Sequence, residues 1–169
     1  SDSDANKATN GEKTGTGGVY VSDGTFTMNG GEITRNKASS QGGGVGVYRA
    51  AKFEMNNSAS ITDNTANQGG GVYVDDKGVH KDGGTFTMNN EKASNNINGG
   101  GVYVSNNGTF NMNDGAISDN KATNSDERNT TYGGGVYVSG GTFTMNGGAS
   151  SVSKNTAKNG GGVSVSSGT

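Results

Sequence analysis

One short segment gathers the side chains best suited to holding a metal ion: Asp75, Asp76, His80 and Asp82, within Asp75-Asp76-Lys77-Gly78-Val79-His80-Lys81-Asp82. Carboxylates beside the chain's one histidine are donors for divalent cations, but their spacing matches no known cage, so a surface loop is the simpler expectation. Hydrolase or lyase chemistry would need paired carboxylates on one face. The position just before a recurring asparagine reads Arg35, Asp63, Asn95, Asp119, Lys154, with no two acids in successive cycles. That series predicts a solvated edge and no catalysis. Tyr20, Tyr73, Tyr103 and Tyr137 recur at one phase, broken by Gly46 and Ser164. Such a row either stacks sugars or partner chains, or stabilises an exposed sheet. A second insertion, Lys121 to Tyr132, brings Arg128 and Tyr132. Insertions in repeat proteins cluster where binding occurs, so these two segments complete the candidate contact residues.

These residues hang on an internal repeat. All five Phe and all five Met fall in one phrase: Phe26-Thr27-Met28, Phe53-Glu54-Met55, Phe86-Thr87-Met88, Phe110-Asn111-Met112 and Phe143-Thr144-Met145. Before each stands a glycine run leading into Val-x-Val: Val19/Val21, Val45/Val47, Val72/Val74, Val102/Val104 and Val136/Val138, with a sixth at Val163/Val165. A third segment follows, an aliphatic residue with Asn three places on: Ile33/Asn36, Ile61/Asn64, Ala93/Asn96, Ile117/Asn120 and Val152/Asn155. Cycles of roughly 24 to 34 residues are the spacing of solenoids, propellers and arrays.

Composition without order would suggest disorder: 27% hydrophobic residues, mean hydropathy −0.72, and no Leu, Trp, Pro or Cys. The order of the residues argues the opposite, because a disordered chain has no reason to place every large apolar residue at a fixed phase. The formal net charge of −2 is also too small to keep the chain expanded. Thirteen Lys and Arg against fifteen Asp and Glu, scattered in sign, offer no basic stripe for nucleic acid. No apolar run approaches the roughly 18 residues needed to cross a bilayer. Without Cys, stability must come from packing and backbone ladders. The glycine runs lack the Lys-Ser/Thr ending of a phosphate loop, and no cofactor is expected.

Alternating apolar residues in Val-x-Val and Phe-x-Met predict strands with one buried face. Ser22-Asp23-Gly24 and Asn29-Gly30-Gly31 are turn formers between them. Three very short strands per cycle are too few for a propeller blade. The chain is therefore expected to be all-β: a right-handed parallel β-helix, or β-solenoid, of about five and a half three-stranded rungs. One domain spans 1–169. Val stacks on Val, Phe on Phe and Met on Met, and the asparagines form an amide ladder where the coil bends.

Gly69-Gly70-Gly71-Val72 with Phe86-Thr87-Met88-Asn89 resembles the Gly-Gly-Ala-Ile and Phe-x-x-Asn repeats of the polymorphic outer-membrane proteins, and the repeat tracts of microbial surface adhesins of right-handed β-helix fold. The resemblance implies an extracellular or cell-surface, non-enzymatic stalk, fibre or adhesin passenger with a host or surface glycan or protein as ligand. Thr25/Thr27, Thr85/Thr87 and Thr142/Thr144 resemble the Thr-x-Thr rows of ice-binding β-solenoids, which makes an ice- or glycan-binding module the alternative and a polysaccharide-active enzyme a remote one. Neither end of the chain reads as a polar cap, so a fragment, or end-to-end self-association, is expected.

Overall fold

A computed structural model describes residues 6–8, 15–76, 83–98, 100–123 and 131–169. It is all-β and coils as a parallel solenoid of about five turns. No helix occurs among the described residues, so none is long and apolar enough to cross a membrane.

Every strand pairs in parallel with its equivalent one coil away, which sets like residues over one another. The first sheet runs through Val19–Val21, Val45–Tyr48, Val72–Asp75, Val102–Ser105, Val136–Met145 and Val163–Gly168, with Val72 on Val102 and Val74 on Val104. The second aligns Phe26, Phe53, Phe86, Phe110 and Phe143, with the methionines two residues on. In the third, Ile33 pairs with Ile61, Ile61 with Ala93, Ala93 with Ile117, and Ile117 with Val152.

Backbone hydrogen bonds run along the axis, and the alternating side chains fill the bore. In the middle coils the inward Val, Phe, Met and Ile are wholly buried. Each such side chain contributes about 1.5–3 kcal/mol. The five phenyl rings form a continuous stack, with centroids 4.8–5.3 Å apart and planes within 15° of one another. In the last coil Met145, Val163 and Val165 are exposed.

Two details go beyond the expected three-stranded rung. Past the asparagine the chain forms a fourth row of two-residue strands, Lys7–Ala8, Lys37–Ala38, Thr65–Ala66 and Ile97–Asn98. The corner before this row is made by the mixed series: Arg35, Asp63, Asn95, Asp119 and Lys154 all adopt left-handed φ of 55–58°. That conformation suits Asn and Asp and costs Arg and Lys roughly 1 kcal/mol. Arg35, Asp63, Asn95, Asp119 and Lys154 are all exposed, as a solvated edge requires.

The asparagine ladder lies just inside this corner. Asn96 Nδ2 donates to Asn120 Oδ1 at 2.9 Å and to the Ile61 carbonyl at 3.2 Å. Its Oδ1 accepts from the backbone N–H and the Nδ2 of Asn64 at 3.1 and 3.2 Å. Two donors and two lone pairs are thereby all used, which is what a buried carboxamide demands. The pattern repeats from Asn36 to Asn155. A second amide ladder, Asn29, Asn56, Asn89, Asn113 and Asn146, runs along the surface and donates in the opposite direction.

Candidate functional site

The tyrosines form a continuous ladder on the outer side of the first sheet. All six tyrosines of the chain join one ladder, in the order Tyr20, Tyr48, Tyr73, Tyr103, Tyr137, Tyr132. Successive ring centroids lie 4.8–5.9 Å apart.

Register explains how the break at Gly46 is closed. Gly46 lies between Tyr20 and Tyr73 on the first sheet, and Tyr48 follows two residues later on the same side of the strand. A Cβ added to Gly46 would come within 2.6 Å of Tyr48 Cε2. The Tyr48 ring therefore folds over the glycine and occupies the place that a tyrosine at 46 would have held. Tyr132 joins differently. It precedes the Gly133-Gly134-Gly135 run, bridges Asn159, and stacks on Tyr137 at 5.4 Å. The ladder stops at Ser164, which pairs with Tyr137.

The expected outward aromatic row is thus complete, but it is not an open platform. Tyr20 is 51% exposed and Tyr132 40%, whereas Tyr73 is 3% exposed and Tyr48 fully buried. A ring inside the ladder presents its neighbours with the faces a sugar would need. Burial also governs the phenols. Desolvation, eased by the Thr16 hydroxyl, pushes Tyr48 up to about 12. Desolvation followed by the nearby Asp75 charge raises Tyr73 further, and desolvation raises Tyr103.

Asp75 and Asp76 lie at the buried flank of the ladder. Asp75 accepts the Tyr73 hydroxyl at 3.3 Å and the side-chain amide of Asn106. Asp76 accepts from Asn107 Nδ2 at 2.8 Å. Both carboxylates are thereby bonded to the Asn106-Asn107 turn of the following coil, a structural use of their lone pairs. Among the described residues no three metal-ligating side chains converge. His80 and Arg128 lie outside the described residues, so the structure joins Tyr20, Tyr73, Tyr103, Tyr137 and Tyr132, sets Asp75 and Asp76 beside them, and leaves those two unplaced.

On the second sheet Thr85 pairs with Thr109 and Thr109 with Thr142, while Thr87 and Thr144 flank Asn111. Lys52 and Glu54 interrupt this row below Thr85 and Thr87. A polar cleft of about 570 Å³ follows the third strands and is bordered by Glu32, Ser60, Thr62, Glu91 and Lys92.

Three participants were not anticipated from the sequence. Tyr48 carried a signal, an aromatic residue at the right parity two places after the glycine that breaks the row. The surface amide ladder was signalled by Asn after every Met. Glu91 carried none. Comparison of the chain with family models, curated proteins and solved structures finds no match.

Proposed function

We propose that the chain is a non-enzymatic structural stalk or adhesin passenger at a microbial cell surface. One observation carries this reading: four separate ladders, of phenyl rings, phenol rings, buried amides and surface amides, all run parallel to the solenoid axis. Cohesion is thereby concentrated along one direction, in which backbone hydrogen bonds also lie, as a spacer held under tension needs. The resemblance of the glycine–valine and Phe-x-x-Asn repeats to those of polymorphic outer-membrane proteins and β-helix adhesins supports the same reading. It also supports a surface location and a glycan or protein ligand.

Force spectroscopy on the chain tethered at both ends tests the mechanical part. Resistance that breaks coil by coil, and weakens when Asn96 is replaced by Ala, is expected; extension without force peaks overturns it. Antibody labelling of intact cells of the encoding organism tests the location, and labelling only after permeabilisation overturns it.

The threonine register favours a second reading, an ice-binding face. Thr85, Thr109 and Thr142 stack in successive coils at the strand spacing of about 4.8 Å. Thermal hysteresis that is lost in Thr109→Lys would establish this alternative, and its absence in the parent chain removes it.

A further inference from the structure

The tyrosine ladder has properties that packing alone does not require. Its two members with large exposure, Tyr20 and Tyr132, terminate it at opposite ends, with the buried Tyr48 and Tyr73 between them. The rings span four strand spacings, roughly 19 Å along the axis. With Trp and Cys absent, phenol is the side chain most readily oxidised by one electron, and neighbouring phenols in near contact exchange an electron readily.

Oxidation of a phenol also releases its proton, so each interior member needs a nearby base or hydroxyl. The structure supplies them. Tyr73 O–H donates to the buried Asp75 carboxylate at 3.3 Å. The Tyr48 and Thr16 hydroxyls hydrogen-bond at 3.2 Å, Tyr103 hydrogen-bonds the Ser139 side chain, and Tyr137 O–H donates to Ser166 Oγ at 3.1 Å.

We propose that the ladder relays one-electron oxidising equivalents, moving a phenoxyl radical between Tyr132 and Tyr20. A one-electron oxidant of the peroxide-derived or photochemical class takes an electron from Tyr132, whose O–H proton passes to water. The Tyr132 radical then takes an electron from Tyr137 and a proton back from water, restoring its phenol. Each ring further along, as it gives up its electron, passes its O–H proton to its own hydrogen-bond partner or to water and takes a proton back from there on reduction, so the radical shifts one ring along. At Tyr73 the proton moves onto Asp75 and returns when that ring is reduced again. The radical ends on Tyr20. There, two such radicals on separate molecules couple through ring carbons, and the two displaced ring hydrogens restore the phenol hydroxyls. The bore methionines are kept out of this route, since Met55, Met88 and Met112 lie wholly buried inside the coil.

The chain has no cysteine, so a photo-oxidant can be placed at one site. Lys158 is exposed and its backbone N–H donates to Thr131 Oγ1, beside Tyr132. Lys158→Cys carrying a ruthenium polypyridyl label is flashed in the presence of a cobalt(III) ammine acceptor and a radical trap, and adducts are mapped by peptide. The expected result is a Tyr20 adduct whose yield per molecule is unchanged on dilution and which disappears in Tyr73→Phe. The Tyr48→Phe variant, which gives up the Thr16 hydroxyl contact and keeps its ring, must show the same loss with the parent's melting temperature. Adducts confined to Tyr132 and Tyr137 in the parent, or an undiminished Tyr20 adduct in either Phe variant, overturn the relay. A plain stacking role would leave both Phe variants indistinguishable from the parent.

Discussion

Gly71 is glycine because Asn96 sits where its side chain would be. A Cβ on Gly71 would lie 2.9 Å from Asn96 Nδ2, 3.0 Å from its Cγ and 2.6 Å from the Gly101 carbonyl oxygen. The same pairing recurs at Gly18 with Asn36, Gly44 with Asn64, Gly101 with Asn120 and Gly135 with Asn155. Two motifs that look separate in the sequence, the glycine before each valine and the asparagine closing each cycle, are therefore the two halves of one corner. Gly71 needs room, whereas Gly69, at φ +58°, needs both conformational freedom and room, since a Cβ there would meet the Val72 carbonyl.

Gly71→Ala should accordingly displace the Asn96 amide and unfold the chain at lower temperature, by about as much as Asn96→Ala does. The latter leaves the Asn64 backbone N–H and one of the two Nδ2 hydrogens without an acceptor, the other staying on the Ile33 carbonyl, at about 1–3 kcal/mol per buried group. Combining the two substitutions should cost less than their sum, because both remove one ladder contact. Additive losses in a denaturation cycle would refute the coupling.

Phe86→Ala should cost about 3–5 kcal/mol, since its ring is fully buried between Phe53 and Phe110. Thr87→Ala on the outer face should cost under about 1 kcal/mol. Chemical denaturation of the two variants checks the alternation, and equal losses contradict it.

Glu91 gives a pH signature. It is 3% exposed, holds the register position of Gly115 in the next coil, and its carboxylate oxygens lack a hydrogen bond of good geometry. Desolvation raises its pKa, and the Ser58 and Ala59 amides offset only part of this. The folded chain thus holds the Glu91 proton more tightly than the unfolded one. This contribution favours folding below the ordinary glutamate range, about 4.3, and is lost as pH rises through the folded value. Glu91→Gln should therefore melt higher than the parent at pH 7 and approach it at about pH 4. A pH-independent difference between the two melting curves would rule this out.

Lys154→Asn should raise stability by a few tenths to about 1 kcal/mol, because position 154 is left-handed at φ 55° and Asn accepts that conformation. The control is Asn95→Lys at the equivalent corner, which should lower it. Thermal melts of both variants decide the matter.

Local pattern was enough to specify the coil. Phe, Met, Val and the aliphatic residue before each Asn recur with period-2 alternation, and burial of one face leaves a parallel stack as the arrangement that sets each on its like. The candidate ladder was legible for the same reason at Tyr20, Tyr73, Tyr103 and Tyr137, which share one strand parity. Contacts between coils settled what local pattern could not encode. The Tyr48 ring crosses back over Gly46, and Tyr132 joins from the loop before the glycine run, both because space is available beside the strand. Asp75 and Asp76 meet Asn106 and Asn107 across coils whose lengths differ, so no fixed spacing announces the contact. Glu91 is buried by its register against Gly115 and by the Ser58-Ala59 backbone of the preceding coil, while its neighbours in the chain are polar and exposed. Alternation along one strand sets which way a side chain points, but only the neighbouring coil sets whether water can reach it.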